Sequence, residues 1–181
     1  VTPDNSASRE YCIPGDTASC NPPVAEWNFE EGSGNSTNDN SGNNNALSLT
    51  SVSWSPGKYG KAGGYDGTNS TASISDNPSI SLTNTGTLEA WVNPPRQYPS
   101  ANVSTFYRNI INKWSSGGCA GTDEGYLMDW YGTNSAGTLR GLICNGTTSG
   151  GLSYNTSLPA NTWSHVAFTW DGSFYRLFLN G

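Results

Sequence analysis

Toward the end of the chain, apolar residues fall on every second position. Val166, Phe168 and Trp170 alternate with small or polar residues, and Tyr175, Leu177 and Leu179 repeat the pattern. A period of two marks a half-buried strand, and Asp171-Gly172 between the runs marks a tight turn, because glycine tolerates the positive φ required there. The two runs therefore predict a hairpin. Asn180-Gly181 is a second turn signal, so the sequence is expected to stop short of the strand this turn would lead into.

The same period recurs upstream. Residues 86–94 predict a central strand with Leu88, Ala90 and Val92 on one face and Glu89 and Trp91 on the other, where Trp91 is expected to supply apolar cover. Pro94-Pro95 ends it, since proline cannot continue a central ladder. Shorter candidates lie at 24–29, 46–49, 51–54, 72–75, 109–114, 125–131, 139–144 and 152–154, with Ile80 and Leu82 also alternating. The 139–144 strand is expected to pair with its predecessor through the glycine-flanked stretch 132–137. Residues 30–45 are a low-complexity loop rich in Asn, Ser and Gly. No segment carries an amphipathic helical period. Short strands separated by turn signals predict an all-β fold, an antiparallel β-sandwich of the jelly-roll kind with no significant helix. Residues 1–23 are polar, end in Pro22-Pro23, and read as an arm or linker before a domain at 24–181.

Composition narrows the partners. The chain has 181 residues, enough for one domain with a real core, and its charged residues are scarce at 12%. Eight Lys and Arg against fourteen Asp and Glu leave a net charge of −6 with no basic cluster, which argues against nucleic acid or an anionic membrane as partner. No apolar run is long enough to span a bilayer and no signal peptide is read at its start, as expected of a mature or excised piece.

Four cysteines permit three pairings. Cys12 and Cys20 bracket a short loop that can close locally. Cys119 precedes one strand candidate and Cys144 ends another, which suits a bridge between them. The spacings lack the close pairs of a zinc site, and His165 is the single histidine, so disulfides and an oxidising compartment are expected. N-x-[ST] sequons at Asn35, Asn69, Asn102, Asn145 and Asn155 agree with that compartment. Extracellular or cell-surface placement follows.

In order along the chain, Val24-Ala-Glu-Trp-Asn-Phe-Glu-Glu-Gly-Ser-Gly, Gly57-Lys-Tyr-Gly-Lys-Ala, Tyr65-Asp-Gly, Gly86-Thr-Leu-Glu-Ala-Trp-Val-Asn-Pro, Asn161-Thr-Trp-Ser-His-Val-Ala and Arg176-Leu-Phe-Leu-Asn-Gly resemble laminin G-like, concanavalin A-like lectin/glucanase jelly-roll domains. The resemblance covers 24–181 and implies the jelly roll. It also implies closing strands after the Asn180-Gly181 turn, which this sequence lacks. Members range from sugar-binding and adhesion modules to spacers, so function must come from a site.

Glucanases of this fold class place carboxylates in a Glu-x-Asp-x-x-Glu pattern, and Glu26-Trp-Asn-Phe-Glu30 lacks both the central Asp and the spacing. A packing or hydrogen-bonding role is the ordinary one for His165. The chain is therefore expected to be non-catalytic. Aromatics next to loops, Trp114, Trp130 and Tyr131, with Trp54, Tyr98 and Tyr107, offer flat faces for sugar rings, whereas Trp91, Trp163 and Trp170 are expected in the core. Structural calcium is a further possibility, at Glu30, Asp39 and Asn40 or braced by Asp66, Asp76 and Asn77. Two functions result: a glycosylated adhesion or assembly module, such as a subunit or decorating domain of a surface filament joined by strand addition to copies of itself or another extracellular protein, or a carbohydrate-binding module of a larger glycosidase or adhesin.

Overall fold

The computed structural model describes residues 23–95, 106–114, 119, 124–133, 136–146 and 148–181. Two compact units divide the chain, one ending at Ile80 and the other spanning Ser81–Gly181. Among the described residues are twelve strands, all paired antiparallel, and one short 3-10 turn at Pro78–Ile80. The fold is an all-β sandwich.

The first unit holds β1 (Ser36–Thr37), β2 (Leu47–Thr50), β3 (Ser53–Pro56), β4 (Lys61–Gly64) and β5 (Thr71–Ser73), in a β1-β2-β5 sheet and a β3-β4 hairpin. Leu47 and Leu49 alternate inward on β2, as their spacing predicts. The strand expected at 51–54 begins instead at Ser53, because Ser51 takes a left-handed φ of 53° that interrupts extended pairing. Residues 24–29 join no sheet among the described residues, and Phe29 is likewise left-handed at φ 56°.

That segment is bonded by the polar loop that follows it. Asp39 Oδ1 accepts from the amides of Glu26 and Ser41 at 2.9 Å each, while Oδ2 accepts from the Ser41 hydroxyl at 2.8 Å and the Asn45 amide at 2.9 Å. Asn45, fully buried, donates through Nδ2 to the Val24 carbonyl and to Ser79 Oγ, both at 2.9 Å. Side chains of Asn, Asp and Ser that bond nearby backbone offer it an alternative to a ladder. Here they replace the predicted strand. Burial pushes the Asp39 carboxyl upward, yet these hydrogen bonds outweigh it and hold the carboxyl below its ordinary value.

The second unit holds β6 (Gly86–Val92), β7 (Phe106–Asn112), β8 (Glu124–Thr133), β9 (Ala136–Asn145), β10 (Ser149–Asn155), β11 (Ser164–Trp170) and β12 (Tyr175–Leu179). They form a four-stranded sheet, β10-β9-β8-β7, and a three-stranded sheet, β12-β11-β6. Alternation assigns the faces. Leu88 on β6 and Val166, Phe168 and Trp170 on β11 meet Tyr126, Met128 and Trp130 on β8 and Leu139 and Ile143 on β9 in one core. Trp170 fills the core as expected; Trp91 does not. It lies opposite His165 on the outer face of its sheet, 42% exposed, with ring centroids 5.3 Å apart. Glu89 shares that face, 3.5 Å from His165 Nε2.

A disulfide joins Cys119 to Cys144. Closing a loop of 25 residues restricts the unfolded chain and contributes about 3.5 kcal/mol in the chain-entropy account. Cys12 and Cys20 lie outside the described residues.

The predicted terminal hairpin is present, with β11 and β12 in the register Phe168↔Leu177 and Trp170↔Tyr175. Gly172 takes φ 85° in the turn, and Asp171 Oδ1 accepts from the amides of Ser173 and Phe174 at 2.9 and 2.7 Å. Arg176 donates to Asp171 Oδ2 at 2.7 Å. This bond, aided by the two amides, holds the Asp171 carboxyl down at about 2. A carboxyl depressed by folding stabilises the fold above its unfolded pKa, about 3.9, and that contribution is lost as pH falls through the folded value. Asp171→Asn is therefore expected to flatten the acid limb of stability between about pH 4 and about pH 2. Denaturant midpoints measured across that range check this, and an unchanged acid limb would mean that the turn does not persist in acid.

Candidate functional site

The side of the four-stranded sheet turned away from the core gathers charged, aromatic and hydroxyl side chains. On β8, Tyr126, Met128 and Trp130 face the core, so Asp129 and Tyr131 face outward. On β9, Leu139 faces inward and Thr138 and Arg140 outward. The hairpin register then sets Asp129 opposite Arg140 and Tyr131 opposite Thr138, while Tyr107 on β7 sits opposite Tyr131.

Arg140 grips Asp129 with both arms of its fork, Nε to Oδ1 at 2.9 Å and Nη2 to Oδ2 at 2.5 Å. Such bidentate pairs combine strength with fixed geometry. Asp129 is 0% exposed, and the Arg140 side chain is 20% exposed. The hydrogen bond to Asp129 raises the guanidinium pKa further, and burial only partly offsets this. Its Cζ lies 4.6 Å from the Tyr131 ring centroid and 5.5 Å from that of Tyr107, within cation–π range. The two tyrosine rings are 5.0 Å apart, and Tyr107 is 58% exposed. Beside them, Thr138 Oγ1 donates to Asn155 Oδ1 on β10 at 2.9 Å. The result is an aromatic surface held rigid by a buried ion pair and edged by a hydroxyl and an amide.

Of the aromatics expected as sugar platforms, Tyr131 and Tyr107 come together here. Trp130 is a correction: it is 3% exposed and packed in the core, because its neighbour Tyr131 takes the outward position and adjacent strand residues point to opposite faces. Trp114 is half-buried beyond the other end of β7, its amide donating to Asn112 Oδ1 at 2.7 Å. Trp54 belongs to the first unit and donates from Nε1 to the Gly34 carbonyl at 3.1 Å. Tyr98 lies outside the described residues.

The residues considered for calcium serve local bonding. Glu30 accepts from the Lys61 amide at 3.2 Å, and Asn77 Oδ1 from the Ser79 amide at 3.0 Å. Asp39 ties the polar loop, and the Asn40 amide bonds the Glu26 carbonyl at 2.8 Å. Asp66 Oδ1 collects the amides of Thr68, Asn69 and Ser70 within its own turn, which holds its carboxyl far below the usual range. Asp76 lines a shallow open groove with Asn44 and Asn77. Among the described residues no group of three or more His, Cys, Asp or Glu is placed to hold a metal.

Asn35, Asn69, Asn145 and Asn155 are exposed, and Asn102 lies outside the described residues. The partnership of Asp129 with Arg140 escaped the sequence reading, although its signal was available. Both are charges inside otherwise apolar strand runs, symmetric about the predicted turn at 132–137.

An antiparallel sandwich whose open sheet face presents aromatic rings and fixed polar groups is of lectin-like architecture. The family model described as the concanavalin A-like lectin/glucanases superfamily matches residues 66–181, and the chain belongs to this laminin G-like family. The family is often involved in carbohydrate binding or adhesion. No curated protein and no solved structure matches the chain. Domains of this type, like disulfides, are typical of extracellular proteins. Among the described residues no helix is long and apolar enough to cross a membrane.

Proposed function

We propose that this is a non-catalytic, extracellular adhesion module that binds glycans on the outer face of its four-stranded sheet. The observation that carries the reading is the Tyr107–Tyr131 pair clamped beside Arg140 and Asp129. Sugar rings present flat C–H faces that pack on aromatic rings, and their hydroxyls need donors and acceptors at the rim. Arg140 keeps donor capacity beyond the two bonds to Asp129, and Thr138 and Asn155 lie alongside. Nothing in this set pairs a nucleophile with a base. His165 lies on the other sheet, and the adjacent Ser164 is fully buried while His165 faces outward.

Unglycosylated chain applied to an array of neutral and acidic oligosaccharides is expected to bind a subset. Tyr107→Ala should weaken that binding roughly tenfold, the scale of a rigid aromatic contact. Because Tyr107 is 58% exposed, the variant should unfold at the parent's denaturant concentration. Absence of glycan binding by the parent, or full binding by both Tyr107→Ala and Tyr131→Ala, would overturn the assignment.

A second reading is favoured by the edge of the other sheet. Among the described residues β12 pairs with β11 alone, and its core-facing Tyr175 is 38% exposed. An open edge accepts a further strand. Assembly of the chain into a surface filament by strand addition would use it, and negative-stain microscopy of native material separates polymers from dispersed particles.

A further inference from the structure

The candidate face continues without a break into a sequon. Asn155-Thr156-Ser157 begins at the last residue of β10, an edge strand among the described residues, and Asn155 is exposed. Sheet register places Asn155 opposite Thr138, Thr138 opposite Tyr131, and Tyr131 opposite Tyr107. These four residues form one row across all four strands. Directly opposed residues of antiparallel strands share a face, and the Thr138–Asn155 hydrogen bond of 2.9 Å fixes the amide on this one. At the usual strand spacing, Tyr131 lies about 10 Å and Tyr107 about 14 Å from Asn155.

We propose that Asn155 carries an N-linked glycan that overhangs the Tyr107–Tyr131 face and regulates access to it. The Thr138 bond occupies the amide oxygen and leaves Nδ2, the atom that glycosylation substitutes, outside that contact. In the transfer, Nδ2 bonds the anomeric carbon of a lipid-linked glycosyl phosphate donor, the phosphate departs with the bonding pair, and the amide gives up one proton. A glycan rooted at the rim of the row reaches Tyr131 with its first sugars.

The other described sequons are placed differently. The Thr37 of the Asn35 sequon is 1% exposed, and Ser70 of the Asn69 sequon is bound to Asp66 at 2.7 Å. Asn145 has its carbonyl oxygen held by the Thr148 amide and hydroxyl at 3.0 and 3.1 Å, at the end of β9 away from Thr138. Of these four, Asn155 alone shares the row with the tyrosines.

The consequence for ligand access rests on the glycan-binding reading; the modification and its coverage of the tyrosines do not. The full chain is secreted from cells that glycosylate N-x-[ST] sequons, alongside Ser157→Ala, which removes the sequon while keeping the Asn155–Thr138 bond. Peptide mass spectrometry reads occupancy, and tyrosine nitration mapped by peptide reads coverage. The expected result is a glycan on Asn155 and slower nitration of Tyr107 and Tyr131 in the parent than in Ser157→Ala. An unmodified Asn155, or equal nitration of an occupied parent and the variant, overturns the proposal. Array binding is read separately: protected tyrosines together with a Ser157→Ala chain that binds no glycan would retire the glycan-binding reading and leave the modification standing.

Discussion

Phe168→Ala is expected to lower the stability of the second unit by about 3–5 kcal/mol, the range for removing a large aromatic from a core that cannot fully collapse. Phe168 is 0% exposed and stacks on Trp170, with centroids 5.4 Å apart. Its socket is unusual in being made partly of absent side chains. A Cβ added at Gly141 on β9 would fall onto the Phe168 ring. Gly86 and Gly137 stand in the same relation to Trp170 and Trp130. Leu88, Met128, Leu139, Ile143, Leu158 and Val166 fill the rest of a core in which three large rings are lowered onto glycine backbone. Gly141→Ala should therefore destabilise by about 1–3 kcal/mol through overpacking. Combined with Phe168→Ala, its cost should largely vanish, since the ring it collides with is gone. A double-mutant cycle in guanidinium unfolding checks this, and additivity within about 0.5 kcal/mol would mean that the ring and the glycine do not share the site.

Those glycines bear on how much of the fold could be read from residues alone. Alternation at Val166, Phe168 and Trp170 announced a strand and its buried face, because a slip of one residue would turn every one of them outward. Asp171-Gly172 announced the turn, and the positive φ of Gly172 is its physical basis. The glycines gave no comparable signal: the same residue marks a turn at Gly172 and receives a ring at Gly141. Alternation misled at 24–29, where side chains of the Asn-rich loop supply the bonds that a neighbouring strand would have made. At Trp91 it named the face correctly but not the surroundings, since the outer side of that sheet leaves the ring 42% exposed.

The candidate face was partly legible. Tyr131 and Trp130 both stand next to a loop in the sequence, yet neighbours on a strand cannot both be platforms, and proximity to a loop does not choose between them. Hairpin register does choose. Once Leu139 is set against Trp130, Arg140 must stand opposite Asp129, and the ion pair follows. Extending the row through Thr138 brings Asn155 to the same face, a coincidence invisible while each sequon is treated as an isolated surface loop.

Asp129→Ala is expected to cost about 3 kcal/mol, near the lower end for breaking a buried ion pair by removing one partner. The penalty arises because Arg140 would remain charged with its fork unmatched, while its side chain, 20% exposed, can rehydrate only in part. Replacing both partners, as in Asp129→Leu with Arg140→Met, should recover most of that loss, since a buried pair exchanged for apolar residues of similar volume is often neutral or stabilising. Glycan binding should behave differently. Both the single and the double variant are expected to lose it, because Tyr131 and Tyr107 are held through the guanidinium that Asp129 orients. Denaturant unfolding and array binding, read on the same samples, therefore separate two roles of one pair. A stable double variant that still binds glycans fully would reduce the ion pair to a packing element and return the site to the tyrosines alone. A stable double variant that binds nothing would place the guanidinium, rather than the strength of the sheet, at the centre of recognition.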